Sequence, residues 1–471
     1  MRRARGFILA AFLGGALPVY SSAAGGDINL DLSPQNFKAV KSPWEQYFCR
    51  HYVRGNSQGN AIEKTIRDYD GPNVGLPAAY AVVKGYRREE LLRNFRNWRR
   101  SDARGLDVNA AEIIGNDLTV IYGGTSPKPD GALDIERSHA LLDSIYGYDP
   151  RLAGRVYIQW GNEINGKHIG LPRVNVNERL GVLESSGKAD WPQYNRPEDR
   201  QPFVENYFLP AVSVTREVSA RLFNDPAAIK IMSPSFANIY NPGFREWMYG
   251  VLDFQVDAKK FPGLNARQAW ETIDILTVHY PFARPNGADV MQEIWDRYGA
   301  TGKIGRLWVT EEYGRDSSGP AGLIDRGLRY FSWVAANGLD SSQTRLCWWG
   351  IEAEYAGGKP ADAAVAMNEW LSGRQLRYRQ FNVNGETIDA IHAGDARHPR
   401  YLLVFRAAPR PAQYRIGLAG ESLPSSGVKA TLYGSAAKPA ALPVRFAKNG
   451  NRLDIDVEMR GDGPLLLFIG E

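Results

Sequence analysis

The sequence predicts an α/β fold, a (β/α)8 TIM barrel followed by a C-terminal antiparallel β-sandwich. Three observations point there. Between about Ala78 and Gly350, short β-branched apolar runs alternate with longer amphipathic stretches, as parallel strands joined by helical crossovers do. Beyond Gly373 helical periodicity fades, and short alternating runs separated by Pro, Gly and Asn take over. The chain also has 471 residues, more than the roughly 250–300 over which a single core keeps growing, so two units are expected.

Residues 1–24 read as an export leader. Arg2, Arg3 and Arg5 make a positive start, Phe7 to Val19 is apolar apart from its glycines, and the small residues Ser21 to Ala24 offer a cleavage site. The apolar stretch falls short of the about 20 residues a spanning helix needs, and no later segment is long and apolar enough. The expected product is a periplasmic or extracellular protein with no stable membrane insertion. The formal charge of +5, less three arginines in the leader, leaves +2, which gives no case for nucleic acid. Basic residues at Arg87-Arg88, Arg93, Arg96, Arg99 and Arg100 fall at helical spacing and read as a solvated face. Cys49 and Cys347 are the only cysteines, too few for a disulfide framework or a Cys-rich zinc site. Export permits one bridge between them, and free buried thiols fit equally well. Oligomeric state is not legible.

The barrel unit is expected over residues 25–373. Its clearest strands are Leu118 to Tyr122, Arg155 to Trp160, Ile229 to Met232, Ile273 to Val278, Arg306 to Thr310 and Thr344 to Trp348. Helices are expected over Ile135 to Ile145, Pro202 to Leu222, Ala288 to Tyr298 and Gly322 to Ala336. Two or three further strands belong between Ile28 and Ala111, which completes a barrel. An open doubly wound sheet is the rival, but no Gly-rich nucleotide fingerprint follows an early strand. Gly166 to Pro202, rich in Pro and Asn, reads as an elaborated loop. The β-sandwich is expected over residues 374–471, from strands beginning at Gln380, Thr387, Tyr401, Gln413, Val428, Arg452 and Leu465.

The chemistry gathers at strand ends. Glu163 follows Val156-Tyr157-Ile158 within Gln159-Trp160-Gly161-Asn162-Glu163-Ile164-Asn165. A carboxyl packed among Trp160 and Ile164 would be partly desolvated, which suits a general acid, and Asn162 could bond a sugar hydroxyl. As a bland alternative, Glu163 is a surface residue in a turn. Glu311-Glu312 end the run Leu307-Trp308-Val309-Thr310, and strand alternation turns only one of the two into the barrel mouth. In a barrel both stretches open onto one face, and two carboxylates across a groove are the pair that glycosidic cleavage requires. His279-Tyr280 end another strand; His279 could orient a carboxylate, and Tyr280 could hold the nucleophile ionised. A structural His is the plainer reading of His279 taken alone. Of Trp348-Trp349, one ring is expected in the core and Trp349 under the sugar. His168 lies in the loop within reach of a substrate, with Trp44 and Arg315 as weaker rim candidates.

Metal, nucleotide and serine-nucleophile chemistry find no pattern. The histidines at 51, 139, 168, 279, 392 and 398 have no HExxH spacing, and neither a GxSxG elbow nor a GxxxxGK[ST] loop occurs. No cofactor or metal is expected.

Four of these elements together resemble the clan A retaining (β/α)8 glycoside hydrolases. Trp160-Gly161-Asn162-Glu163 matches that clan's acid/base pair after the fourth strand, and Trp308-Val309-Thr310-Glu311-Glu312-Tyr313-Gly314 its nucleophile after the seventh. His279-Tyr280-Pro281 looks like its sixth-strand element and Trp349 like its eighth-strand tryptophan. The resemblance covers roughly residues 28–370. The trailing β-domain fits several families of that clan, and the chain resembles among them the β-xylosidase and exopolysaccharide-hydrolase group. It implies cleavage of a polysaccharide or oligosaccharide with retention. A Glu directly before an aromatic-Gly pair selects Glu312 as nucleophile, and alignment on Trp-Val-Thr-Glu selects Glu311; the first is preferred. The rivals are a non-catalytic carbohydrate-binding protein on the same scaffold and a transglycosylase.

Overall fold

The computed structural model describes residues 27–54, 79–83, 119–122, 132–147, 153, 156–161, 163–164, 176–177, 182–183, 197–313, 319–349, 366–367, 370–371, 373–394, 398–406, 412–420, 423–424, 427–433, 440–459 and 464–470. The expected leader, the basic stretch near Arg87 and most of the Gly166–Pro202 loop lie outside the described residues.

Eight strands form one wholly parallel sheet: β1 (Phe48–Arg54), β2 (Ala79–Val83), β3 (Thr119–Tyr122), β4 (Val156–Gln159), β5 (Lys230–Met232), β6 (Leu276–His279), β7 (Leu307–Tyr313) and β8 (Leu346–Trp349). Their order is β6-β7-β8-β1-β2-β3-β4-β5. The strands at the two ends of that order meet as well. Met232 and Phe236 bridge in parallel to Ile275 and Val278, with Ser233 N donating to Ile275 O at 2.8 Å and His279 N to Phe236 O at 2.8 Å. Neither β5 nor β6 is therefore left as a free edge.

Helices cover the outer faces of these strands: α1 (Ile135–Tyr146), α2 (Leu209–Phe223), α3 (Pro242–Leu252), α4 (Gly287–Ile294) and α5 (Gly319–Asn337). Local chemistry sets their ends. α2 continues without a break from the helical stretch Pro197–Phe208, and Asn224, left-handed at φ 54°, stops it; Asn241 caps α3 by accepting from Gly243 N at 3.0 Å. Leu323, Ile324, Leu328, Phe331, Val334 and Ala335 recur at helical spacing along α5, and all are buried.

The C-terminal unit stacks two sheets. One has four strands and the other seven. The seven-stranded sheet is apolar on both faces. Ile388, Ala390, Tyr401, Leu403, Leu465 and Leu467 face the four-stranded sheet, while Tyr378, Ile391, Leu402, Val404, Leu466 and Phe468 join the core of the helical unit. This explains the unbroken apolar runs Tyr401–Phe405 and Leu465–Ile469, beside the alternation of Ala412–Ala419 in the outer sheet. The Phe331 ring of α5 meets Tyr378 edge-on across the junction.

Two features differ from the expected domain plan. Asp27–Asp31 pairs in parallel with Ala412–Ala419, and Lys38–Ala39 pairs with Leu376–Val383, so the first described strands complete the β-sandwich instead of starting the barrel unit. Ile28 and Leu30 are buried there and their neighbours are exposed. The strands Ala440–Leu442 and Val444–Asn449 are additional; the latter is an exposed edge with too few apolar residues to stand out. Cys347 is buried and disulfide-bonded, and the chain's one other cysteine, Cys49, is its register partner on β1.

An ion-pair network locks the junction. Asp389 is fully buried and accepts from Arg406 Nη2 at 2.8 Å, from Arg406 Nε and from the Tyr378 hydroxyl. A further guanidinium nitrogen lies 3.8 Å from Asp325 on α5. Burial with Asp389 beside it pushes the Tyr378 hydroxyl pKa well up. Removing one partner of such a pair strands a buried charge. Arg406→Met should lose about 3–5 kcal/mol in urea unfolding, and Arg406→Met with Asp389→Leu should recover much of that loss.

Candidate active site

The expected residues converge where β4, β6 and β7 end. After Gln159 the chain turns at Gly161, whose φ is +100°; a Cβ there would lie 2.8 Å from Ile164 Cγ2. Glu163 follows at φ 51°, an uncommon conformation for a residue with a side chain. The segment after β5 stitches this turn in place. Ser235 N donates to Gly161 O at 3.2 Å, Glu163 N to Ser235 Oγ at 2.9 Å, and Ile164 N to Ser235 O at 3.3 Å.

Strand β7 carries a bulge. Val278 pairs with Val309, but the next residue, His279, pairs with Glu311; on the other side Val309 pairs with Leu346 and Glu312 with Trp348. Relative to both neighbours β7 has one extra residue, between Val309 and Glu311 against β6 and between Val309 and Glu312 against β8. Below the bulge Trp308 points inward, where its ring meets Tyr157 of β4, a strand not adjacent to β7, at 5.5 Å. Val309 points outward into the core shared with the helices. Regular alternation from Trp308 would turn Glu312 inward. The extra residue inverts that parity, so Thr310 and Glu311 both reach the interior.

His279 stands at the centre. Its ring is fully buried, with Nδ1 3.1 Å from Glu163 Oε1 and 3.6 Å from Glu311 Oε2, and Nε2 3.0 Å from Thr310 Oγ1. The Tyr280 hydroxyl donates to Glu311 Oε2 at 2.7 Å, and Tyr280 itself is left-handed at φ 55°. One oxygen of Glu163, one of Glu311 and a ring nitrogen of His279 all lie within 4.8 Å of one another. Two carboxylates and an imidazole so placed can pass protons and support attack at a carbon held between them. The same nitrogen and two oxygens could also serve as ligands to a divalent cation.

Three expected residues are placed elsewhere. Glu312, preferred over Glu311 in the sequence reading, lies on the opposite side of β7, fully buried, where its Oε2 accepts from Phe282 N at 2.9 Å. The bulge is the physical reason. Trp160 is not a groove residue: it is fully buried among Ile158, Ile164 and Phe203, and its Nε1 donates to Thr215 of α2 at 2.9 Å. Trp44, a rim candidate, packs in the core against Phe48 and Phe331. Trp348 is the core member of its pair, stacked with Phe48. Asn162, His168, Arg315 and the side chain of Trp349 lie outside the described residues. Sequence reasoning assigned no role to Ser235 or Thr310. Ser233-Pro234-Ser235, polar and directly after a short apolar strand, carried the same strand-end signal that selected Glu163.

No protein-family model and no curated protein matches the chain. Among solved structures, the chain is similar to a family 51 α-L-arabinofuranosidase from Bifidobacterium longum, at 11% identity and a TM-score of 0.50 over 94% of this chain and 99% of that one. It is also similar to a glycoside hydrolase family 30 subfamily 8 xylanase from Clostridium acetobutylicum (12%, TM-score 0.46, 94% and 99%). A third is a family 44 xyloglucanase from Paenibacillus polymyxa (8%, TM-score 0.49, 95% and 100%). The likeness to the arabinofuranosidase is one of fold.

The Gly161 turn yields a direct expectation. Gly161→Ala puts a Cβ into a glycine-only conformation and against Ile164, and should lose about 1–3 kcal/mol of stability in urea unfolding. Gly305→Ala, where nothing lies within 4 Å of the added Cβ, should change stability by less than about 0.5 kcal/mol.

Proposed function

We propose that this chain is a retaining glycoside hydrolase on a (β/α)8 barrel, with Glu163 as acid/base and Glu311 as nucleophile. One observation carries the reading: oxygens of Glu163 and Glu311, supplied by strand ends far apart in sequence, lie within 4.8 Å of each other. Retaining enzymes hold their two carboxyl groups about 5–5.5 Å apart, and inverting enzymes about 6.5–9.5 Å apart to admit a water. The cyclic order of eight parallel strands, joined between β5 and β6, supports the barrel.

In this reading Glu311 attacks the anomeric carbon as Glu163 gives its proton to the departing oxygen, leaving a glycosyl ester on Glu311. Glu163 then takes a proton from water, which attacks the same carbon and releases the sugar with its configuration retained. Tyr280 fixes the attacking carboxylate through its hydroxyl. His279 lies against both carboxylates and is itself held by Thr310. Polysaccharides or oligosaccharides are the proposed substrates, in keeping with the fold shared with the arabinofuranosidase. The narrower likeness to β-xylosidases and exopolysaccharide hydrolases rests on the motif string and the trailing β-sandwich. The basic, apolar start and the bonded Cys347 support export.

A screen against bacterial and plant polysaccharides supplies the substrate. On it, Glu163→Gln and Glu311→Gln should each lose about 10²–10⁴-fold or more in kcat while remaining folded. Glu312→Gln, which keeps an acceptor for Phe282 N, should stay within about tenfold of the parent. Proton NMR of the first-formed product should show the substrate's own anomer. Full activity in Glu163→Gln or Glu311→Gln, or an inverted product, would remove the assignment.

A further inference from the structure

We propose that Ser235 is a positioning residue for Glu163: its hydroxyl, by accepting the Glu163 N–H, holds the strand-end turn in the left-handed conformation that aims the carboxylate at His279 and Glu311. The inference rests on the acid/base reading of Glu163 given above.

Four observations support it. Ser235 is fully buried, with Oγ 2.9 Å from Glu163 N. Its own backbone closes the turn on both sides, accepting from Ile164 N at 3.3 Å and donating to Gly161 O at 3.2 Å. Glu163 sits at φ 51°, a conformation that a residue with a Cβ holds only when its surroundings impose it. The next residue, Phe236, accepts from His279 N at 2.8 Å, so one short segment sets the backbone of both Glu163 and the imidazole its side chain meets. In this proposal Ser235 acts through Glu163.

A positioning role makes a specific kinetic demand. Protonation of the departing oxygen matters for a sugar or alkyl leaving group and little for a dinitrophenolate, which departs without a proton. A displacement of about 1 Å in a catalytic group can cost 10²-fold. Ser235→Ala should therefore lose about 10–100-fold in kcat/KM on the natural linkage. It should lose less than about threefold on the 2,4-dinitrophenyl glycoside of the same sugar. Azide should raise kcat on the dinitrophenyl glycoside, where deglycosylation also needs Glu163.

Ser233→Ala is the comparison. Ser233 is equally buried in the same segment, but its hydroxyl bonds Thr277 N at 2.9 Å and makes no bond to the Glu163 turn. Its losses should fall equally on both substrates. If Ser235→Ala fails to fold, Ser235→Cys, with a weaker acceptor of similar size, reads the same comparison. Equal losses on the two substrates, or no loss on the natural linkage, would overturn the role of Ser235. Glu163→Ala separates the two readings: absence of the leaving-group contrast in that variant would reject the acid/base assignment instead.

Discussion

Strand β7 carries one residue more than either neighbour between Val309 and Glu312, and the composition of the site follows from that bulge. A strand that alternates without interruption from the inward Trp308 would present Glu312 to the interior. The extra residue presents Thr310 and Glu311 together, one to each side of the His279–Tyr280 element. Glu312 is thereby turned to the outer side of the strand, where it caps the short turn after β6 through Phe282 N. A single insertion in register thus gives two adjacent, chemically identical residues different partners on opposite sides of the strand. Bulges next to active sites re-aim side chains in this way at the cost of a broken ladder.

The opposite wall depends on a different device. Glu163 is carried on a turn, and a turn alone would leave its carboxylate poorly fixed. The glycine-only conformation at Gly161, the left-handed Glu163 and three hydrogen bonds to Ser235 hold it against the segment that follows β5. That segment also bonds β6, His279 N donating to Phe236 O, so one segment holds both site elements. Further out, the buried Asp389–Arg406 pair and the apolar second face of the seven-stranded sheet tie the β-sandwich to α5. The seven-stranded sheet of the trailing domain packs on the outer face of the helical unit at α5.

Much of this was legible in the amino-acid sequence because period and composition report burial. The runs Arg155 to Trp160, Ile229 to Met232, Ile273 to Val278 and Thr344 to Trp348 read as strands and contain or overlap the observed ones, and the four expected helices lie where the apolar spacing placed them. Glu163, Glu311, His279 and Tyr280 were marked by their positions at strand ends. What stayed hidden is non-local or depends on a count of one. The alternation of Ile28 and Leu30 signals a strand, but its partner lies almost four hundred residues onward. A bulge leaves no compositional trace, so the aromatic-Gly pattern favoured Glu312. Trp160 carries equal sequence signal for core and groove. Alternation within β4 separates the two, since Ile158 and Trp160 share the outward face opposite Tyr157.

The central claim is that Glu311, and not its neighbour, forms the bond to sugar, and it is tested by locating that bond. The protein would be inactivated with a 2-deoxy-2-fluoro glycoside of the sugar it hydrolyses, and the peptide spanning Leu307 to Tyr313 sequenced by tandem mass spectrometry. The account predicts one added glycosyl mass, carried on Glu311. A label on Glu312 or Glu163, or rapid turnover with inversion and no label, would contradict it.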